Sequence, residues 1–367
     1  VIGCFQSSAQ YPHYYAYNDE NGLPSNEIYS IIQDERGFIW IGCDAGLYKF
    51  DGIQYRFYKC STQNSKSVAG LVLSSSGILY CHNFQSQIFY IENDSLKELF
   101  NNNGRVISLS CDNKMNLYMN HLYGISQYNE ISKKWTNYNE FTNNNLATSS
   151  AVSDNEKITF ICSDGISTLK DGIIKTTPSI YFETPGMFFL VKTNKEDYIF
   201  SFSQNKIYLR NEDLIYELRN SKLNEILQNR KITFAFYLSD GCIWICTYNG
   251  IIRFNPELDS AILFYPDLSF SKVILDNAGH YWLTTLQDGI LRIPDLNIKI
   301  WNKKNTLLQN DKITKITTDS LNIYFANING IIGKINTETD DLKTFETGNK
   351  ADAQSLDYSF NEKRLYF

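Results

Sequence analysis

One short pattern returns at nearly constant spacing along the whole chain: an apolar run around a tryptophan or its substitute, then a glycine opening a second apolar run. It is clearest as Gly37-Phe-Ile-Trp40-Ile-Gly-Cys43 followed by Gly46-Leu-Tyr-Lys-Phe50. It returns as Gly241-Cys-Ile-Trp244-Ile-Cys-Thr247 with Gly250-Ile-Ile-Arg-Phe254, and as Gly279-His-Tyr-Trp282-Leu-Thr-Thr285 with Gly289-Ile-Leu-Arg-Ile293. Weaker copies run from Leu117 to Gly124, from Ile158 to Gly165 and from Ile323 to Gly330, and in two more Gln87 and Lys206 stand where the glycine does. The anchor falls at 46, 87, 124, 165, 206, 250, 289 and 330, in steps of 41, 37, 41, 41, 44, 39 and 41, and a ninth copy starts near Ser355. A chain bound to such a period folds as an array of one supersecondary unit.

Each unit resolves into four short strands. The first alternates, as in Ile28, Ser30, Ile32, and ends in a turn such as Asp34-Glu-Arg-Gly37 or Asp276-Asn-Ala-Gly279. The second carries the Trp, and the third follows the Gly, whose place suits a hairpin with positive φ. The fourth is aromatic: Tyr55-Arg-Phe-Tyr58, Trp135-Thr-Asn-Tyr138, Ile262-Leu-Phe-Tyr265 and Ile298-Lys-Ile-Trp301. Four strands per unit of roughly forty residues, repeated radially, predict an all-β fold, a β-propeller of four-stranded blades, about seven per ring. Trp40, Trp244 and Trp282 are expected to wedge between neighbouring blades. Tyr14-Tyr-Ala-Tyr17 resembles a fourth strand with no first three, and is expected to pair with a late blade and help close the ring.

Composition narrows the function classes. Aromatics reach 14%, mostly Tyr and Phe, which favours strands. A net charge of −6 with no long Lys/Arg run argues against a nucleic-acid binder, which needs a basic stripe to displace counterions. Of eight cysteines none sits in a C-x2-C pair, and the four histidines are scattered, so no metal and no cofactor is expected and the cysteines read as small buried thiols. Residues 1–10 are apolar, then small. They read as a signal-peptide remnant or an N-terminal arm, with Val1-Ile2-Gly3-Cys4 fitting a lipoprotein-type box and Ser8-Ala9-Gln10 an ordinary cleavage site.

The motifs Asn21-Gly-Leu-Pro-Ser-Asn26, Ile31-Ile-Gln-Asp34, Gly37-Phe-Ile-Trp40-Ile-Gly42 and Asp44-Ala-Gly46-Leu-Tyr-Lys-Phe50-Asp-Gly52 resemble the two-component regulator propeller repeat of periplasmic sensors in Bacteroidetes hybrid two-component systems. The first repeat matches almost throughout, those around Trp244 and Trp282 match well, and repeats two to five keep the period but lose the Trp and often the Gly. In that family two seven-bladed propellers precede an immunoglobulin-like domain, a membrane helix and a histidine kinase. The resemblance therefore implies a seven-bladed propeller over residues 11–307, with residues 308–367 holding the eighth repeat and the start of a ninth, the beginning of a second propeller. A single ring of eight or nine blades is the alternative.

Strand order brings the links between units and the second-to-third-strand turns to one end of the array. Carboxylates and amides there can bind sugar hydroxyls, and Tyr faces can stack on pyranose rings. The candidate ligand-binding residues are Asp44, Tyr123, Asp164, Tyr248, Asn249 and Asp288, in equivalent turns of successive units. No nucleophile, base or acid pair stands out beside His13, His82, His121 or His280, so no catalytic residue is named. The expectation is a non-catalytic periplasmic sensor domain that recognises a glycan-derived oligosaccharide. Its partners would be a second propeller and signalling domains of a longer, membrane-tethered sensor, a possible homodimer. A propeller lyase or glycosidase acting on polysaccharide, and a protein-interaction propeller, are the alternatives.

Overall fold

A computed structural model describes residues 11–367 apart from 101–104, 122–123, 139–151, 155–156, 163–164, 180, 182–187, 203–204, 212–213, 220, 303–307, 309, 329 and 347–354. The expectations attached to residues 1–10 and to Cys4 lie outside the described residues, as do Tyr123 and Asp164.

The chain divides into two compact units. The first, Tyr14–Pro294, holds seven four-stranded antiparallel sheets. Blades 1 to 6 are consecutive in sequence, spanning 28–58, 70–99, 106–138, 152–178, 188–217 and 232–264. Blade 7 takes three strands from Phe270–Leu275, Tyr281–Thr285 and Ile290–Ile293, and its fourth from the other end of the chain, Tyr15–Tyr17. The first strands of successive blades touch in order, and that of blade 7 returns to that of blade 1, so the unit is a closed seven-bladed β-propeller. The second unit, Asp295–Phe367 together with residues 11–13, holds one further four-stranded sheet (Ile313–Thr318, Asn322–Asn327, Ile331–Asn336, Leu342–Glu346) and a hairpin of Asp357–Ser359 with Arg364–Tyr366.

The burial pattern explains the sequence motif. Second strands such as Ile39–Cys43 and Ile243–Thr247 are buried at every position, because both faces of a blade's middle pack against neighbouring blades. Their apolar runs therefore do not alternate. Outer strands such as Ser260–Phe264 are half exposed. The three tryptophans do wedge between blades. Trp244 of blade 6 is fully buried, 5.0 Å from the Tyr281 ring of blade 7. Trp40 packs with Leu79, Cys81 and Phe89 of blade 2. Trp282 stacks on Tyr17 at 5.5 Å and meets Phe50 of blade 1 edge-on at 6.4 Å.

Each tryptophan is held by a side chain in the turn that precedes it. Asp34 accepts the main-chain N–H groups of Arg36 and Phe38 on Oδ1 and the indole N–H of Trp40 on Oδ2, at 2.9 Å. Asp276 does the same for Ala278, His280 and Trp282, the last at 2.8 Å. In two sheets that lack the Trp, Tyr takes over the donor role: Tyr118 to Asp112 at 3.0 Å and Tyr324 to Asp319 at 2.8 Å. One aspartate thus closes the turn and orients the wedge.

Two local expectations need correction or completion. Ile298–Trp301 is not a strand, because the free edge of Ile290–Ile293 is already paired with Tyr15–Tyr17, register Tyr15 to Arg292 and Tyr17 to Ile290. In the two units lacking the hairpin glycine, positive φ moves one residue earlier, to Ser86 (65°) and Asn205 (53°). Where the glycine is present it is needed. Gly289 has φ 77°, and a Cβ there would collide with the Tyr17 carbonyl.

Two outcomes are expected. Trp244→Ala empties a closed inter-blade site and should cost about 3–5 kcal/mol, read by denaturant unfolding. Burial pushes the Asp276 carboxyl up, but hydrogen bonds from Trp282 and His280 outweigh it and hold the group below its ordinary value. A depressed folded-state carboxyl stabilises fully above its unfolded pKa, about 3.9, and loses that contribution as pH falls through the folded value. The stability advantage of wild type over Asp276→Asn should therefore be largest near neutrality and shrink below about pH 4, measured as melting temperature against pH.

Candidate functional site

The second-to-third-strand turns lie at the same end of the ring as the links between blades, and a repeated clamp sets their shape. In blade 6 the buried Thr247 hydroxyl donates to the Gly250 carbonyl at 2.7 Å and accepts from the Asn249 N–H at 3.1 Å. In blade 7 Thr285 donates to Gly289 O at 2.9 Å and accepts from Asp288 N–H at 2.7 Å. Cys43 and Cys162 fill the same position, each thiol donating to the glycine carbonyl at 3.4 Å. These cysteines are buried free thiols, as expected, and they also fasten the turn; burial pushes the Cys43 thiol up to about 11.

With the backbone fastened, the tip side chains point outward. Asp44, Tyr248, Asn249 and Asp288 are all exposed, Tyr248 by 43%, and their side chains make no hydrogen bond to another described residue. The blade 6 tip is braced from below: Arg230 Nε donates to Asn249 O at 3.2 Å and Ser269 Oγ to Tyr248 O at 2.7 Å. Tyr123 and Asp164, also expected here, lie outside the described residues.

Sequence reasoning missed an aromatic pair beside Asp44. Tyr29 of blade 1 and Phe84 of blade 2 meet edge-to-face at 5.0 Å, and Phe84 is 59% exposed. The Tyr29 hydroxyl donates to Glu27 at 2.7 Å; burial, then Glu27 and Asp44, push its phenol well above the ordinary range. Counting a two-residue turn back from Gln87 skips Phe84. The turn is longer because Asn83 bridges it, accepting from Gln87 N–H and donating to Gln87 Oε1, both at 2.9 Å. An asparagine four residues before the anchor was the available signal.

The first strands line the centre of the ring, and several carry a β-bulge at the same place, after Ile28, Val106, Ile232 and Phe270. The bulged residue ties blades together: Thr233 donates to Phe270 O at 2.6 Å and Ser271 to Ile28 O at 2.5 Å. Lys272, next to that bulge, donates to Ser30 Oγ of blade 1 at 3.1 Å and lies 5.9 Å over the Phe236 ring. Among the described residues it has no ion pair.

Two of the histidines, His82 and His121, are buried in the blades. Burial pulls His82 down to about 4 and lowers His121, whose Nε2 lies 3.0 Å from Ser126 Oγ. Among the described residues no three His, Cys, Asp or Glu side chains gather as a metal site, and no helix is long and apolar enough to cross a membrane. What the face offers is hydrogen bonding from amides and carboxylates beside exposed aromatic rings.

Comparison with known proteins is consistent with this architecture. A family model described as a two component regulator propeller matches residues 22–45, the segment that carries the densest motifs. The chain carries a two-component regulator propeller repeat. Its fold is similar to the extracellular domain of a Bacteroides thetaiotaomicron protein assigned as a hybrid two component system, at 18% identity and TM-score 0.68, over 97% of this chain and 52% of that one. It is also similar to the extracellular domain of a one component system of the same organism, at 15% identity and TM-score 0.60, over 97% and 51%. This chain thus spans about half the length of those two domains. A catalytically inactive virginiamycin B lyase from Staphylococcus aureus, solved with quinupristin, shares the fold at 16% identity and TM-score 0.61, over 76% of this chain and 98% of that one. No curated protein matches the chain in sequence.

Burial pulls Lys272 down to about 8, an effect that Cys246 opposes. A lysine depressed in the folded state leaves the unfolded chain binding more protons between about pH 8 and its ordinary value, so stability rises with pH across that window. Wild type should gain stability from pH 8 to 10 relative to Lys272→Met, and the variant should be the more stable of the two at pH 7. Denaturant midpoints at each pH check both signs.

Proposed function

We propose that this propeller is a non-catalytic recognition domain of an exported, periplasmic sensor, and that it binds a glycan-derived oligosaccharide on its loop face. The observation that carries the reading is the fastened turn end: side-chain clamps at Cys43, Thr247 and Thr285 hold the backbone while Asp44, Tyr248, Asn249 and Asp288 stand free in solvent. Polar groups with unused hydrogen-bonding capacity next to aromatic faces suit a hydroxyl-rich ring better than an apolar ligand. The regulator-propeller repeat and the fold likeness to extracellular domains of B. thetaiotaomicron regulators support the sensor assignment. On this reading the bound state is passed to a histidine kinase through a second propeller and signalling domains of a longer protein, which acts as a homodimer. Tyr123 and Asp164 belong to the same set by their place in the repeat.

A lyase reading draws on the likeness to virginiamycin B lyase. The two readings part on turnover. Calorimetry against a panel of plant and host glycan fragments should find one that binds, with Tyr248→Ala and Asp288→Ala each weakening it by about tenfold. Product analysis after long incubation should recover that fragment intact. Steady conversion would overturn the sensor reading in favour of an enzyme.

A further inference from the structure

We propose that a groove at the seam between blades 7 and 1 binds a small carboxylate-bearing ligand with one flat apolar face, the carboxylate resting on Arg292. The groove has a volume of about 350 Å³, and its lining includes Tyr15, Tyr17, Phe50, Ile53, Tyr55 and Arg292. It lies beside the third-to-fourth-strand hairpin of blade 1, at the end of the ring opposite the loop face, and so goes beyond the reading above.

Its wall is aromatic and already assembled. Phe50 and Tyr55 are stacked at 4.5 Å, and Tyr17 meets Phe50 edge-on at 5.6 Å. The lip is unusually apolar for solvent-facing residues: Tyr15 is 54% exposed and Ile53 92%. Tyr15 lies opposite Arg292 in the strand pairing, which sets a cation beside a partly exposed aromatic ring.

The cation is where this blade departs from blade 6. The position is basic in several blades and sits over the wedge ring: Lys49 over Trp40 at 5.6 Å, Lys334 over Tyr324 at 5.7 Å and Arg292 over Trp282 at 5.5 Å. Ring contact is therefore its common structural role. In blade 6 the equivalent Arg253 also has a carboxylate, donating from Nε to Asp240 at 3.0 Å. In blade 7 it does not. Arg292 Nη2 lies 2.9 Å from His280 Nδ1, Nε is buried with no acceptor, and among the described residues no carboxylate pairs with it. The carboxylate of the facing hairpin, Asp51, is turned into its own loop, accepting from the N–H groups of Ile53 and Gln54 at 2.8 Å. Asn21 is likewise occupied, donating to Ala16 O at 2.7 Å and accepting from Asn18 N–H at 2.8 Å. A half-buried guanidinium without an anion is under-satisfied, and a planar carboxylate is the partner its fork fits best. The same groove offers that partner an aromatic face to lie against.

Calorimetry on the full chain with four probes tests this: glucuronate and glucose, 4-hydroxybenzoate and 4-hydroxybenzyl alcohol. At least one carboxylate should bind, at least about tenfold more tightly than its uncharged counterpart; which of the two binds tells a sugar acid from an aromatic acid. Arg292→Gln should weaken that binding by about tenfold. Ile53→Glu, at a residue that makes no core contact, should do the same by charge repulsion, while Ile53→Gln should leave it within about twofold. Tyr248→Ala, at the loop face, should have no effect, so the two sites stand or fall separately. Failure of both carboxylates to bind, equal binding of the uncharged counterparts, or indifference to both Arg292→Gln and Ile53→Glu would overturn the proposal.

Discussion

Seven blades make a ring only if the last holds the first, and here three residues do that work. Tyr15–Tyr17 supply blade 7 with its outer strand while lying immediately upstream of blade 1. The pairing alone is short. It is reinforced by Tyr17 stacked on Trp282, by Ser271 and Lys272 bonded to Ile28 and Ser30, and by Asn277 N–H bonded to the Gln33 side chain at 2.7 Å. A propeller closed this way leaves no bare third-strand edge on blade 7 open to a foreign strand. The blade 7 wedge depends on it directly, since an open ring would expose the faces between which Trp282 is packed.

The second constraint recurs in blades 1, 3 and 7 and is polar. The aspartate before the second strand satisfies two turn N–H groups and then reaches the ring donor of the wedge. It thereby links a local turn to an inter-blade contact. Aromatic wedges in a fully apolar setting would leave the indole N–H unsatisfied, and the aspartate removes that cost. Asp240 extends the same logic across a boundary, accepting from Trp244, from Arg253 and from the Tyr281 hydroxyl of blade 7.

Much of this was legible from residue order. Period, strand number and the wedge role of Trp40, Trp244 and Trp282 follow from apolar runs and glycine spacing, because these report burial and backbone handedness directly. The odd strand at Tyr14–Tyr17 was legible for the same reason, an aromatic outer strand without its blade. Ile298–Trp301 carries the same aromatic pattern and forms no strand, since pattern reports suitability and not whether an edge is already taken. The site was less legible. Tip residues of two-residue turns can be counted from the glycine, which placed Asp44, Tyr248, Asn249 and Asp288 in solvent. Phe84 escaped because Asn83 lengthens its turn, and Arg292 because the significance of a cation lies in the partner it lacks.

The aspartate clamp is not uniform around the ring. Blade 2 has Ser74 at that position and blade 5 has Thr193, hydroxyls that accept turn N–H groups at 3.2–3.3 Å. Their wedge tyrosines are not tied to that turn: the phenol of Tyr80 in blade 2 is instead pushed up by burial and by the Glu130 carboxylate of blade 3. A clamp made by a neutral hydroxyl is weaker than one made by a carboxylate. The ring is therefore built of units with unequal resistance to local opening, and amide exchange would proceed blade by blade, with the second and fifth admitting solvent before the first, third and seventh.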